Sequence, residues 1–128
     1  MRLLLDTHLI VWWQTGDQRL TGARRDLIES SEAPAMVSRV SIWEIAIKNG
    51  TGRLSLDLRD FAAEVERLGF GWLPISNEHV FRFAELPKVT GHKDPFDRLL
   101  IAQAQTEPLI LLTADARLAR YGDLVRVV

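Results

Sequence analysis

Five short apolar runs, none of them alternating with polar residues, constrain this chain more than any other feature: Leu3 to Leu5, Ala35 to Val37, Trp72 to Ile75, Leu109 to Leu112 and Val125 to Val128. A strand with one wet face alternates apolar and polar residues, whereas an unbroken run suits a strand covered on both faces, as in a parallel sheet between helical layers. The stretches between the runs have helical spacing and helical ends. Thr21 is placed to cap a helix to about Ser30, and Ser38 or Ser41 to cap one through Lys48, closed by Gly50. Asp57 caps a helix through Leu68, closed by Gly69, and Ser76 or Asn77 opens one stopped by Pro87. Asp94-Pro95 is an N-cap followed by proline at the first helical position, with Phe96, Leu99, Leu100 and Ala104 facing inward as far as Pro108. The resulting order, β-α-α-β-α-α-β-α-α-β-α-β, predicts a three-layer α/β/α fold around a central, mainly parallel, twisted sheet. No repeat or linker divides the chain, so residues 1–128 are expected to form one domain.

Composition narrows the function. With no cysteine among 128 residues there is neither a disulfide nor a cysteine-held zinc. No apolar run approaches the roughly 18 residues of a membrane span, and Asp6 interrupts the first run too early for a signal peptide, so a cytoplasmic protein without a membrane partner is expected. The net charge of −1 argues against a partner held by a bulk positive field. Gathering four of the 17 acids into one site, however, leaves 13 facing 16 Lys and Arg, a basic surplus of three over the remainder.

Four acids invite that gathering. In a parallel sheet, ligands sit beyond the carboxyl ends of the strands, where the following helices begin. Asp6 ends the first run and Asp115 lies just past the fourth, while Glu44 and Asp97 belong to the early turns of helices that start at the same edge. Each has a structural alternative: Ser41 to Glu44 matches a capping box, Asp97 suits the helix dipole, and Asp115 is placed to cap the segment after it. Asp6, ending a buried Leu-Leu-Leu strand, demands a partner or an ion. Two carboxylates about 5 Å apart repel by about 3 kcal/mol at an effective dielectric near 20, so four together require a cation. Oxygen donors without Cys or His select Mg²⁺ or Mn²⁺, ions suited to phosphodiester chemistry.

The strings Leu4-Leu5-Asp6-Thr7-His8, Val37-Ser38 to Ser41-Ile42-Trp43-Glu44-Ile45, His92-Lys93-Asp94-Pro95-Phe96-Asp97-Arg98 to Ala104, and Leu112-Thr113-Ala114-Asp115 stand in an order and spacing that resembles PIN-domain ribonucleases. Within them the chain looks most like the VapC toxins of bacterial toxin–antitoxin pairs, a likeness that extends over almost its whole length. The resemblance implies that Asp6, Glu44, Asp97 and Asp115 bind Mg²⁺ or Mn²⁺ and are catalytic. Thr7 and Thr113 would orient carboxylates or the metal's waters, with Asp94 either aiding the site or capping its helix. It further implies endonucleolytic cutting of RNA, inhibition by a cognate VapB-like antitoxin, and a homodimer.

Arg39, His92, Lys93 and Arg98 flank the motif acids and are expected on the rim as RNA contacts, with an internal bridge to a site carboxylate as the alternative for Arg98. Trp12, Trp13 and Trp43 offer base-stacking surfaces, but helical context favours core or subunit packing, and Trp43, Ile47, Leu54 and Leu56 form a candidate patch for an antitoxin helix. A phosphoacceptor receiver domain fails for want of paired acids after the first strand and a late lysine. A haloacid-dehalogenase-type phosphatase fails because His8 stands where it needs a second Asp. An inert RNA- or protein-binding module of the same fold, or a DNA-directed nuclease, remains as an alternative.

Overall fold

The computed structural model describes residues 1–128. Its order is β1 (Leu3–Leu5), α1 (Thr7–Thr15), α2 (Gly22–Glu29), β2 (Met36–Ser38), α3 (Arg39–Gly50), α4 (Leu58–Arg67), β3 (Gly71–Leu73), α5 (Asn77–Glu85), α6 (Pro95–Thr106), β4 (Ile110–Thr113), a 3₁₀ segment (Ala116–Tyr121) and β5 (Val125–Val127). The expected order holds, with the last helix tightened to 3₁₀. All strand pairs are parallel, in the spatial order β3-β2-β1-β4-β5.

The apolar runs behave as two-faced strands. Leu3, Leu5, Val37 and Leu112 enter one core with Leu9, Ile10, Ile45, Phe61 and Val65. Leu4, Leu111 and Leu73 enter a second core with Leu100, Ile101, Ala104 and Tyr121 on the opposite side. Successive residues of a strand point to opposite faces, so a run of leucines is what a sheet between two helical layers demands.

Helix ends follow the expected capping chemistry. The side chains of Thr21, Ser38, Asp57, Ser76 and Asp94 each accept a backbone N–H in the first turn of the helix they precede. Ser38, not Ser41, is the cap of α3, which removes the capping-box reading of Glu44. Gly50 is the last residue of α3, and the left-handed turn falls two residues later at Gly52, φ 78°. The third strand runs from Gly71 to Leu73 and not on to Ile75, because Pro74 has no N–H for the ladder. The fourth begins at Ile110 because the Leu109 N–H still closes α6 on the Ala104 carbonyl.

Because adjacent positions of β1 serve different cores, Leu4→Ala and Leu5→Ala should each destabilise the protein by about 3 kcal/mol. Urea unfolding checks this. A strand with one exposed face would show one large and one small loss.

Candidate metal centre

The sheet order reverses at β1, with β2 on one side and β4 on the other, and a crevice at such a point opens beyond the strands' carboxyl ends. Asp6 lies there. Its N–H donates to the Leu112 carbonyl at 3.0 Å, extending the β1–β4 ladder by one bond. It occupies the N-cap position of α1 in extended conformation, yet its side chain does not cap the helix. Oδ2 instead accepts from Thr113 Oγ1 at 2.6 Å, and Oδ1 is buried with no partner. Burial pushes the carboxyl above its ordinary range, against the Thr113 bond and in the same direction as the nearby Glu44 charge.

Glu44 is buried on α3. Its Oε2 accepts from Lys48 Nζ at 2.7 Å, one helical turn on, and Oε1 is buried without a partner. Asp97 is buried in the first turn of α6, with Oδ2 3.1 Å from His92 Nε2. Its carboxyl is pushed up to about 8, first by burial and then by the charges of Asp6, Asp94, Glu44 and Asp115. All four of these acids lie near enough to be felt at Asp97. Asp115 is half-buried, its N–H donating to Thr113 Oγ1 at 3.0 Å. Arg117 forks onto its carboxylate, with Nη2 2.7 Å from Oδ2, and holds it below the ordinary range.

The flanking residues divide. Thr113 Oγ1 donates to Asp6 Oδ2, and the same hydroxyl receives the Asp115 N–H. Thr7 contacts no carboxylate; its hydroxyl pairs with Ser41 Oγ at 2.8 Å and ties the start of α1 to α3. Asp94 caps α6 through the N–H groups of Phe96 and Asp97, so its effect on the site is through charge. Arg39 is exposed, its guanidinium 4.5 Å from the centre of the Trp72 ring, and Lys93 is exposed too.

His92 is not a rim residue. It is 4% exposed, held between Tyr121 Oη at 2.8 Å and Asp97, because the turn at 89–92 folds it inward. Burial and the Arg117 charge hold its imidazole below the ordinary value, so His92 favours the neutral form. Arg98 makes no bridge to a site carboxylate; half-buried, it donates to the Pro87 carbonyl and to Tyr121 Oη and lines a cleft with Lys88 and Lys93.

Sequence reasoning missed three participants: Lys48, Arg117 and Tyr121. A Glu-to-Lys spacing of four was the available signal for Lys48. Nothing in the sequence marked Tyr121, which reaches the site only through tertiary packing. Among the aromatics, Trp43 is 58% exposed with its edge against Phe96, whereas Trp12 and Trp13 are half-buried. Trp43 and Ile47 stand in the open, but Leu54 and Leu56 pack onto the core and line a groove with Val11, Trp12 and Lys48.

The donor set suits a hard divalent cation. Two carboxylate oxygens, Asp6 Oδ1 and Glu44 Oε1, are buried without a hydrogen-bond donor, a costly condition that a cation relieves. A cleft of about 220 Å³ lined by Asp6, His8, Trp12, Arg19, Ala114 and Asp115 has room for a hydrated ion. The acids are not, however, disposed as a finished cage of three or more ligands. Lys48 and Arg117 engage the Glu44 and Asp115 carboxylates at 2.7 Å each.

The PIN domain family matches residues 3–124 of the chain. Ribonuclease VapC22 of Mycobacterium tuberculosis is 31% identical over 133 aligned positions, covering 93% of this chain and 91% of that protein. Two solved structures share the fold. A toxin–antitoxin complex from Klebsiella pneumoniae superposes with a TM-score of 0.70 at 17% identity, covering 98% of this chain and 96% of that one. VapBC2 from Rickettsia felis, bound to a DNA fragment from its promoter, gives 0.68 at 14% identity, covering 99% and 98%.

The raised carboxyl of Asp97 has a thermodynamic consequence. In the unfolded chain this group ionises near 3.8, but in the native protein only near about 8. Its contribution to stability is therefore fully present below 3.8 and is lost as pH rises toward about 8. In chelator, Asp97→Asn should raise the unfolding temperature by several degrees at pH 8.5 and by much less at pH 4. Thermal unfolding of both proteins at the two pH values measures this, and equal shifts would refute it.

Proposed function

The chain belongs to the PIN domain family, and from that premise we propose that it is a VapC-like toxin, a Mg²⁺- or Mn²⁺-dependent endoribonuclease neutralised by a cognate VapB-like antitoxin, with residues 1–128 acting as one PIN domain. The observation that carries the reading is the pair of buried, unpartnered carboxylate oxygens on Asp6 and Glu44, beside an Asp97 that retains its proton well into the neutral range. Buried acids with this bias are expected where a cation completes the site. The name of the Mycobacterium tuberculosis relative supports ribonuclease activity, and the two toxin–antitoxin structures support an antitoxin partner.

Asp6, Glu44, Asp97 and Asp115 would hold the ion. When bound, it supplies the positive charge that activates water and offsets charge on the scissile phosphate. The chain's own residues do the positioning. Thr113 fixes one oxygen of Asp6 and leaves the other free, while Lys48 orients the Glu44 carboxylate through Oε2. Arg39 and Lys93, both exposed, are assigned to the RNA backbone. No side-chain nucleophile is needed. The groove lined by Val11, Trp12, Lys48, Leu54 and Leu56 is assigned to the antitoxin. Exposed Trp43, Ile47, Val80 and Phe81 supply apolar surface for a homodimer contact.

Purified chain freed of antitoxin should cut cellular RNA with Mg²⁺ or Mn²⁺ and not with EDTA. Asp6→Asn should lower the rate by a factor on the order of 10³. Matching single-stranded DNA run alongside separates the substrates, and cutting of DNA alone would overturn the ribonuclease reading. Retained metal binding with no cutting of either would favour the inert binding module.

A further inference from the structure

Behind Asp97 runs a chain of hydrogen bonds that starts at a fixed cation and ends at the carboxylate. Arg98 Nη1 donates to Tyr121 Oη at 3.1 Å, Tyr121 Oη lies 2.8 Å from His92 Nδ1, and His92 Nε2 lies 3.1 Å from Asp97 Oδ2. His92 and Tyr121 are 4% and 7% exposed, so the two bonds that His92 makes are buried, while the Arg98 bond is part-buried. Each member is anchored separately. Arg98 also donates to the Pro87 carbonyl and stands over the rings of Phe83 and Tyr121. His92 closes a tight turn, its N–H on the Val89 carbonyl and Gly91 at φ 79°, a conformation that favours glycine. Arg120 donates to the Thr90 carbonyl and clamps that turn to the 3₁₀ segment. Tyr121 ends the segment that Asp115 opens.

The direction of the bonds follows from the donor inventory. Guanidinium has only donors, so the Tyr121 oxygen accepts from Arg98. The phenol has one hydrogen, and the acceptor it faces is His92 Nδ1. An imidazole that accepts at Nδ1 carries its proton at Nε2, the nitrogen facing Asp97. The opposite sense would place two donors on the phenol oxygen and leave its one hydrogen unpartnered.

We propose that Arg98, Tyr121 and His92 form a positioning relay that fixes His92 as the Nε2–H tautomer, pins Oδ2 of Asp97, and leaves Oδ1 for the divalent ion. The assignment of an ion to Asp97 rests on the proposed function; the tautomer does not. Each of the three acts through Asp97.

Two measurements separate the two layers. Nitrogen-15 NMR of the histidine rings, in chelator at one pH, should show His92 as the Nε2–H tautomer in the parent chain and as a mixture in Tyr121→Phe. An Nδ1–H tautomer in the parent, or no change in the variant, would overturn the relay. Calorimetric Mn²⁺ titration then tests its purpose. Asp97→Asn should weaken binding by the largest factor, and Tyr121→Phe by about tenfold. In a His92→Gln background, where the amide supplies the donor without help from the phenol, Tyr121→Phe should cause no further loss. A structural role alone would give the same loss in both backgrounds and refute the proposal. Unchanged Mn²⁺ affinity in Asp97→Asn would defeat the metal reading while leaving the tautomer result standing. Should Tyr121→Phe fail to fold, Arg98→Met breaks the relay at its other end and carries the same expectations.

Discussion

Carboxylates buried together at one edge of a sheet are the condition to which much else in this molecule answers. Each of the four acids has a compensating neighbour: a hydroxyl for Asp6, an ammonium for Glu44, an imidazole for Asp97 and a guanidinium for Asp115. The compensation is incomplete in a patterned way. The two most secluded acids, Asp6 and Glu44, each retain one unpartnered oxygen, and Asp97 answers the crowding by holding its proton. Burying charge without full pairing is expensive, and a fold that retains such an arrangement points to a ligand of opposite sign.

The scaffold makes this crowding possible by being stiff where it matters. β1 is covered on both faces by leucine-rich cores, so the chain leaving it at Asp6 has little freedom. Helices α3 and α6 start at the same edge, with Ser38 and Asp94 setting where their first turns begin. The Thr7–Ser41 hydroxyl pair then ties α1 to α3 beneath Glu44's turn. Stability in this region is spent on geometry.

The fold was legible because its determinants are local. Runs such as Leu3 to Leu5 announce two buried faces without reference to partners, and caps such as Asp57 and Asp94 act within three residues of themselves. The four acids were legible because strand and helix ends fix where they fall. What escaped depends on contacts between distant segments. His92 looked like a rim residue from its place beside Asp97, yet the turn at Gly91 folds it inward onto a tyrosine 29 positions away. Arg98 likewise looked like a direct partner of carboxylate or phosphate, and only tertiary packing sets it against Tyr121, to whose hydroxyl it donates. Thr7 had the right chemistry to steady an acid, but Ser41 takes its hydroxyl.

The hydrogen bond from Thr113 to Asp6 joins residues 107 positions apart. While the chain is being made, β1 emerges early, but the strand and hydroxyl that set its final acid follow more than a hundred residues later. At a synthesis rate of about 5 to 20 residues per second, roughly five to twenty seconds separate the two. For that interval the acids near the beginning exist without the neighbour that orders them. The centre therefore assembles only after β1 and β4 have both left the ribosome, so its geometry is a product of the finished chain and not of its growing end.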